Sequence, residues 1–96
     1  MSDLTNMIAA AIEAFNTIDA KYQMADINTQ AKLSDTRSQA ATALVKLRDK
    51  QLEQDTSINE ADIAEMNQLT AQIKDGAALQ KDFADFLGIL AKYVAV

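Results

Sequence analysis

The chain contains almost nothing that interrupts a helix. Proline is absent, and glycine occurs only at Gly76 and Gly88 among 96 residues. Both residue types disfavour helix interiors, because proline removes a backbone donor and glycine loses more chain entropy on folding. Alanine and leucine, which are strong helix formers, are common in the rest of the chain. The sequence therefore predicts an all-α protein, and its length predicts a single domain over residues 1–96.

The first helix is predicted from the spacing of apolar residues, which recur at steps of four and three. The series is Leu4, Ile8, Ala11, Phe15, Ile18, Tyr22 and Ala25. This heptad-like spacing predicts a helix from about Asp3 to Met24. Poor helix formers and capping residues follow, so we predict a break or kink in residues 26–35, with Ser34 or Asp35 capping a new helix. A continuous rod through this region is the alternative.

The second segment resumes the helical pattern and ends at a turn. Its apolar residues are predicted to share one face: Leu33, Ala40, Ala41, Leu44, Val45, Leu47 and Leu52. The run Gln54–Ser57 is predicted to be a turn between two helices. Ser57 and Glu60 have the spacing of a capping box, in which each side chain satisfies a backbone amide of the other residue.

The third and fourth segments are separated at Gly76. The third carries Ile58, Ile63, Met66, Leu69 and Ile73 at helical spacing. A cation at Lys74 followed by Gly76 predicts a helix end with glycine in the left-handed conformation. The apolar stripe slips by one residue there, which indicates either a tight turn or a continuous helix with a stutter. We therefore predict an antiparallel bundle of three to four helices, or a long helical hairpin, with coiled-coil-like packing.

The composition argues against most enzyme classes. The chain has no cysteine and no histidine, which removes the usual ligands of zinc, copper and haem and the commonest general base. Neither glycine belongs to a phosphate-binding loop. We predict no enzymatic activity, no cofactor and no metal site. An acidic cluster around the predicted turn, Glu53, Asp55, Glu60, Asp62 and Glu65, lacks the EF-hand pattern and is interpreted as helix-start acidity.

The net charge bears on partners and compartment. A formal charge of −5 disfavours nucleic-acid binding and adsorption to anionic membranes, because both need a basic face. No Sec signal pattern is visible, and the apolar C-terminal run is too short and too charged to span a membrane. The sequence predicts a soluble protein that is cytoplasmic or exported without a Sec signal peptide.

The run Leu79–Val96 carries more bulky apolar surface than any other segment. Its candidate partner-binding residues are Phe83, Phe86, Leu87, Leu90 and Tyr93. As a helix the run is apolar over more than one face, so one face can pack within the monomer and the excess predicts a second contact. The alternative is a central helix buried on all sides by its neighbours.

These observations predict a non-enzymatic helical protein that binds a protein partner or a second copy of itself. Small helical chains of this composition occur among secretion-system subunits and phage accessory proteins, which is an analogy of class only. Two other hypotheses remain open. One is an acidic inhibitor that mimics nucleic acid, and the other is a secreted protein whose C-terminal helix inserts into membranes.

Overall fold

The part of the chain that the structure describes contains four α-helices, which pack into a bundle. The structure is a computed structural model that describes residues 3–52, 57–76 and 78–96. The helices are α1 (Asp3–Met24), α2 (Ile27–Asp49), α3 (Glu60–Lys74) and α4 (Leu79–Leu90), and a 3₁₀ turn (Lys50–Leu52) extends α2. The described residues contain no strand, and the four helices pack against one another. The prediction of an all-α bundle is confirmed.

The first break falls within the predicted region, but the predicted cap is wrong. α1 ends at Met24, and Asp26 is the N-cap of α2, where its carboxylate accepts a hydrogen bond from the Thr29 amide at 2.7 Å. Ser34 and Asp35 lie inside α2 with exposed side chains. Only Ala25 separates Asp26 from the end of α1, and the short Asp26 side chain reaches the third amide of the next helix.

A glutamine joins the two helices across this break. The Gln30 side-chain amide donates to the Tyr22 carbonyl at 2.9 Å and to the Gln23 carbonyl at 3.2 Å. In return the Tyr22 hydroxyl donates to the Gln30 carbonyl at 3.0 Å. Gln30 thus binds two carbonyls in the last turn of α1, of which that of Tyr22 also accepts from the Ala25 amide at 3.1 Å. The corner between α1 and α2 is held by side chains from both helices.

α3 starts two residues later than a Ser57 capping box requires. Its N-cap is Asn59, whose side chain accepts a hydrogen bond from the Ala61 amide at 2.9 Å. The predicted capping box is therefore wrong. Ile58 is buried, and with Ile63 it occupies the two positions of a hydrophobic staple, which favours a helix start at Asn59. The predicted turn Gln54–Ser57 lies, apart from Ser57, outside the described residues.

The end of α3 is confirmed as predicted. Gly76 has φ 98° and follows the C-cap Asp75, and its amide donates to the Ile73 carbonyl at 3.2 Å. α4 then begins at Leu79, so a turn causes the one-residue slip of the apolar stripe. The alternatives of a stuttered continuous helix and of a long two-helix hairpin are excluded.

The two glycines are expected to respond in opposite ways to alanine. Gly76→Ala forces a side chain into the left-handed region, which costs about 1–2 kcal/mol of unfolding free energy. Gly88→Ala adds a methyl group in open space inside α4 and should stabilise by about 0.5–1 kcal/mol. Urea denaturation followed by circular dichroism measures both. Effects of the same sign for the two variants would contradict this assignment of the turn.

The core joins α1 and α4 through aromatic rings. Phe15 and Phe86 have centroids 6.0 Å apart, and Tyr22 meets Phe83 edge-on at 6.2 Å. Such tilted pairs bring the positive edge of one ring to the negative face of the other. α2 contributes smaller buried residues, among them Ala40 and Ala43. α2 therefore buries only a narrow face in the core, and most of its surface faces outward.

Candidate interaction surface

The five residues predicted to bind a partner do not form a surface patch. Phe83, Phe86 and Leu90 have no exposed area, while Leu87 and Tyr93 are partly buried. A partner resting on the outside of the bundle cannot reach the first three. Their role in binding stays a prediction, and it would require α4 to move out of the core.

Tyr93 and Lys92 attach the C-terminal residues to the start of α3. The Tyr93 hydroxyl donates to the Asp62 carboxylate and accepts a hydrogen bond from the Asn59 amide at 3.1 Å. Lys92 Nζ lies 2.8 Å from the other Asp62 oxygen. The hydrogen bonds from Lys92 and Tyr93 hold the pKa of Asp62 below its usual value, whereas burial and the Asp62 carboxylate raise the pKa of Tyr93. The contacts of Tyr93 are thus made within its own chain.

Tyr93→Phe is expected to destabilise the fold by about 1.5–3 kcal/mol, because it removes a hydrogen bond to a charged group. Because the pKa of Asp62 is lowered in the folded protein, the ionised carboxylate stabilises the fold at neutral pH. This stabilisation is lost as the pH falls below about 3.8. The variant should weaken that acid dependence. Urea denaturation between about pH 2 and pH 7 measures both effects.

Tyr22→Phe provides the matched control for Tyr93→Phe. It removes a hydroxyl that donates to a neutral carbonyl, that of Gln30, so about 1 kcal/mol and no change in acid dependence are expected. Equal losses and equal pH profiles for the two variants would contradict the special role of the Tyr93–Asp62 contact.

The residues of the predicted acidic cluster do not share one environment. Glu53 and Asp55 lie outside the described residues. Asp62 is buried and paired, and Glu65 lies 3.8 Å from Lys92 Nζ. Within the part of the chain that the structure describes, no group of three or more carboxylates could hold a metal ion. The internal pairing also leaves less free negative charge on α3 for the acidic-inhibitor hypothesis.

Asp82 differs from the other acidic residues because it is buried without a partner. Its side chain is 1% exposed, and neither oxygen accepts a hydrogen bond from any described residue. Lys21 of α1 carries the opposite charge and interacts electrostatically with Asp82, but its Nζ donates to the Ile73 carbonyl at the end of α3. Burial raises the pKa of Asp82. The first turns of α4 therefore hold a buried carboxylate that accepts no hydrogen bond from the described residues and is compensated only in part by the charge of Lys21.

The groove between α3 and α4 is a polar surface. Ala84 and Gly88 line it, with Glu65 and Lys92 nearby, and the Lys81–Asp85 ion pair, 2.7 Å long, also borders it. Such a charged border is typical of a solvated face, and exposed pairs of this kind contribute little energy.

An exposed surface with large apolar side chains lies on the side of α2 opposite the core. We call it the outer stripe of α2, and it comprises Ile27, Ala31, Ser34, Ser38, Val45 and Leu52. These residues recur at steps of four, three and seven, so they lie on one face, and none is charged. Ile27 is 82% exposed, Val45 52% and Leu52 86%. Met24, at the adjacent corner, is 88% exposed.

The outer stripe corrects the predicted buried face of α2, which includes Val45 and Leu52. Leu47 is buried as predicted, whereas Val45 and Leu52 point away from the core. Residues two apart on a helix differ by about 200° in direction, so Val45 and Leu47 cannot share a face. This spacing is the sequence signal that separates the two faces.

Comparison of the chain with protein-family models, curated proteins and solved structures finds no match. None of the described helices combines the length and hydrophobicity that crossing a membrane requires. What the protein does must therefore be inferred from its own surfaces.

Proposed function

We propose that this protein is a non-enzymatic helical interaction protein, and that it binds another helix through the outer stripe of α2. The observation that carries the proposal is the exposure of three large apolar side chains, Ile27, Val45 and Leu52, on the helix face opposite the core, where Arg48 and Asp49 lie beside Val45 and Leu52. Large apolar side chains exposed to water on one face favour a binding role, because removing their surface from water lowers the free energy.

The dimensions of the outer stripe fit a helix as the bound element. α2 has 23 residues and is therefore about 34 Å long. Its central residues on this face, Ala31, Ser34 and Ser38, are small and exposed. Small residues allow a second helix to approach closely, and the larger side chains at both ends supply apolar area. The bundle thus acts as a rigid support that presents α2.

Site-specific photo-cross-linking tests this proposal even while the partner is unidentified. A photoreactive side chain replaces Ser38 at the centre of the outer stripe, and in a control it replaces Asn16, an exposed residue of α1. We expect cross-linked products from position 38, in source cells or in the purified protein, and few from position 16. Equal yields from the two positions would count against the outer stripe as the binding surface.

Introducing a charge on the same face provides a second measurement. Val45→Glu in the protein that carries the photoreactive group at position 38 should abolish the products, because the glutamate leaves a charge in the contact. Val45 is already half exposed, so the variant should keep its unfolding free energy. Cross-linking that persists in a folded Val45→Glu protein would refute the proposal.

A further inference from the structure

We infer that the partner of the outer stripe is a second copy of this chain, packed with the two α2 helices antiparallel and related by a two-fold axis near residues 39 and 40. The inference rests on the proposed function and names the partner. It follows from two features of α2: where its large and small exposed residues lie, and how its charges are arranged along one flank.

The apolar residues of the outer stripe are complementary to the same stripe when it is turned end to end. The pairs Ile27–Leu52 and Ser34–Val45 have the same midpoint, between residues 39 and 40. In an antiparallel pair with its axis there, Ile27 of one copy meets Leu52 of the other, and Val45 meets the small Ser34. Large residues therefore pack at both ends, and Ser38 lies close to the axis.

The charges beside the stripe distinguish antiparallel from parallel packing. Asp35 and Lys46 are both exposed and lie 11 residues, about three turns, apart on one flank of α2. Their midpoint also falls near residue 40, so antiparallel packing brings Asp35 of each copy to Lys46 of the other. Parallel two-fold packing would instead place this flank of the two copies on opposite sides of the contact, so that Asp35 and Lys46 would not meet.

The charged groups that form this flank are available for such contacts. Asp35 makes no ion pair among the residues that the structure describes, and Lys46 Nζ donates only to the exposed Ala95 carbonyl, at 2.9 Å. A contact through one helix face is smaller than the roughly 1,600 Å² of a standard interface. We therefore expect a reversible dimer with a dissociation constant in the micromolar range.

Single cysteines test the register directly, because the chain has no cysteine of its own. A disulfide forms only when the two Cα atoms lie within about 7 Å. Ile27→Cys and Leu52→Cys, purified separately, should each give few disulfide dimers under mild oxidation. Mixing the two should give at least tenfold more disulfide, joining position 27 to position 52. Ser38→Cys alone should form dimers, and Asn16→Cys on α1 should not.

The pattern of disulfides decides whether the two copies pack antiparallel. Disulfides of Ile27→Cys with itself and of Leu52→Cys with itself would indicate parallel packing and overturn it. Disulfide yields no higher than those of Asn16→Cys would also overturn it. If position 38 still cross-links to other proteins in that case, the proposed function stands and only the identity of the partner is wrong.

A charge swap tests the same register at equilibrium. Asp35→Lys should weaken the dimer at least fivefold, measured as the dissociation constant by analytical ultracentrifugation at low salt. Adding Lys46→Asp should restore it, because opposite charges again face each other between the copies. A double variant that dimerises no better than Asp35→Lys would overturn the antiparallel register.

Discussion

Replacing Phe83 by alanine is expected to bring the protein close to unfolding. Phe83 is fully buried in α4 and meets Tyr22 of α1 edge-on, with ring centroids 6.2 Å apart. Truncating a buried phenylalanine removes its apolar area and leaves a cavity, and costs about 3–5 kcal/mol. Domains are commonly stable by only about 5–15 kcal/mol, so this loss removes a large share of the free energy of unfolding.

Leu87→Ala is the matched control on the same helix. Leu87 is only partly buried, so its truncation should cost clearly less, on the order of 1 kcal/mol. Urea denaturation followed by circular dichroism compares the two variants with the natural sequence. A loss for Phe83→Ala no larger than that for Leu87→Ala would contradict the position of Phe83 in the core.

The same pair of variants separates two roles that the sequence leaves open for α4. Truncating a residue that anchors a partner weakens binding while the fold stays stable. Truncating a core residue lowers the free energy of unfolding first. Because Phe83, Phe86 and Leu90 have no exposed area, we expect the second result, and binding should fall only to the extent that the protein unfolds.

The bounds of α1 are the most predictable feature of the chain. The sequence predicts a helix from about Asp3 to Met24, and the described residues are helical from Asp3 to Met24, with the C-terminal end as predicted. The apolar residues of this helix follow helical spacing without interruption. The cap of α2 is less predictable. Several capping residues lie between Asp26 and Thr36, and local sequence does not rank them. The bonds between Gln30 and Tyr22 in the folded corner favour the first of them.

The candidate surface is much less predictable than the helices. An apolar stripe shows that a helix packs against something, but it does not say whether the other side belongs to the same chain. α4 has the bulkiest stripe and is covered by its own bundle. α2 has few large apolar residues, and they lie on two faces. Its outer stripe becomes evident only when burial separates Val45 from Leu47.

The sequence predicts only in part that Asp82 is buried, and it does not show that its carboxylate lacks a partner. Asp82 lies four residues after Ala78, in the first turns of α4, where an acidic residue normally faces solvent and favours the helix start. Its spacing from Leu79, Phe86 and Ile89 places it beside the apolar stripe, whereas Asp85 is partly exposed and pairs with Lys81 at 2.7 Å. Only the packing of α4 against its neighbours shows that Asp82 is enclosed.

Asp82→Asn is expected to stabilise the protein at neutral pH by about 1–3 kcal/mol. The substitution keeps the size and shape of the side chain and removes a charge that has neither solvent nor a hydrogen-bond partner among the described residues. A buried ion costs several kcal/mol, and part of the gain from removing it is lost because the neutral amide of asparagine also lacks a partner there, at a cost of about 1–3 kcal/mol. Lys21 keeps its hydrogen bond to the Ile73 carbonyl in the variant.

The pH dependence of stability gives a second, independent signature of Asp82. Burial raises its pKa above the usual value of 3.8, with Asp85 raising it further and Lys21 and Lys81 opposing. Between that value and the raised pKa, the folded protein holds a proton that the unfolded chain has released. Stability therefore falls as the pH rises through this window. The lowered pKa values of Asp19 and Asp62 act in the opposite direction and below pH 3.8.

Urea denaturation of the natural sequence, Asp82→Asn and Asp85→Asn at several pH values from about 3.5 to 8 measures both effects. The decline of stability above pH 3.8 should disappear in Asp82→Asn and persist in Asp85→Asn, whose exposed ion pair is worth little. If Asp82→Asn instead lowers stability at neutral pH, the carboxylate has a partner, and α4 packs differently against α1 and α3. Removing the charge would then have broken a stabilising contact, which is the reverse of the relief expected for an enclosed and unpaired group.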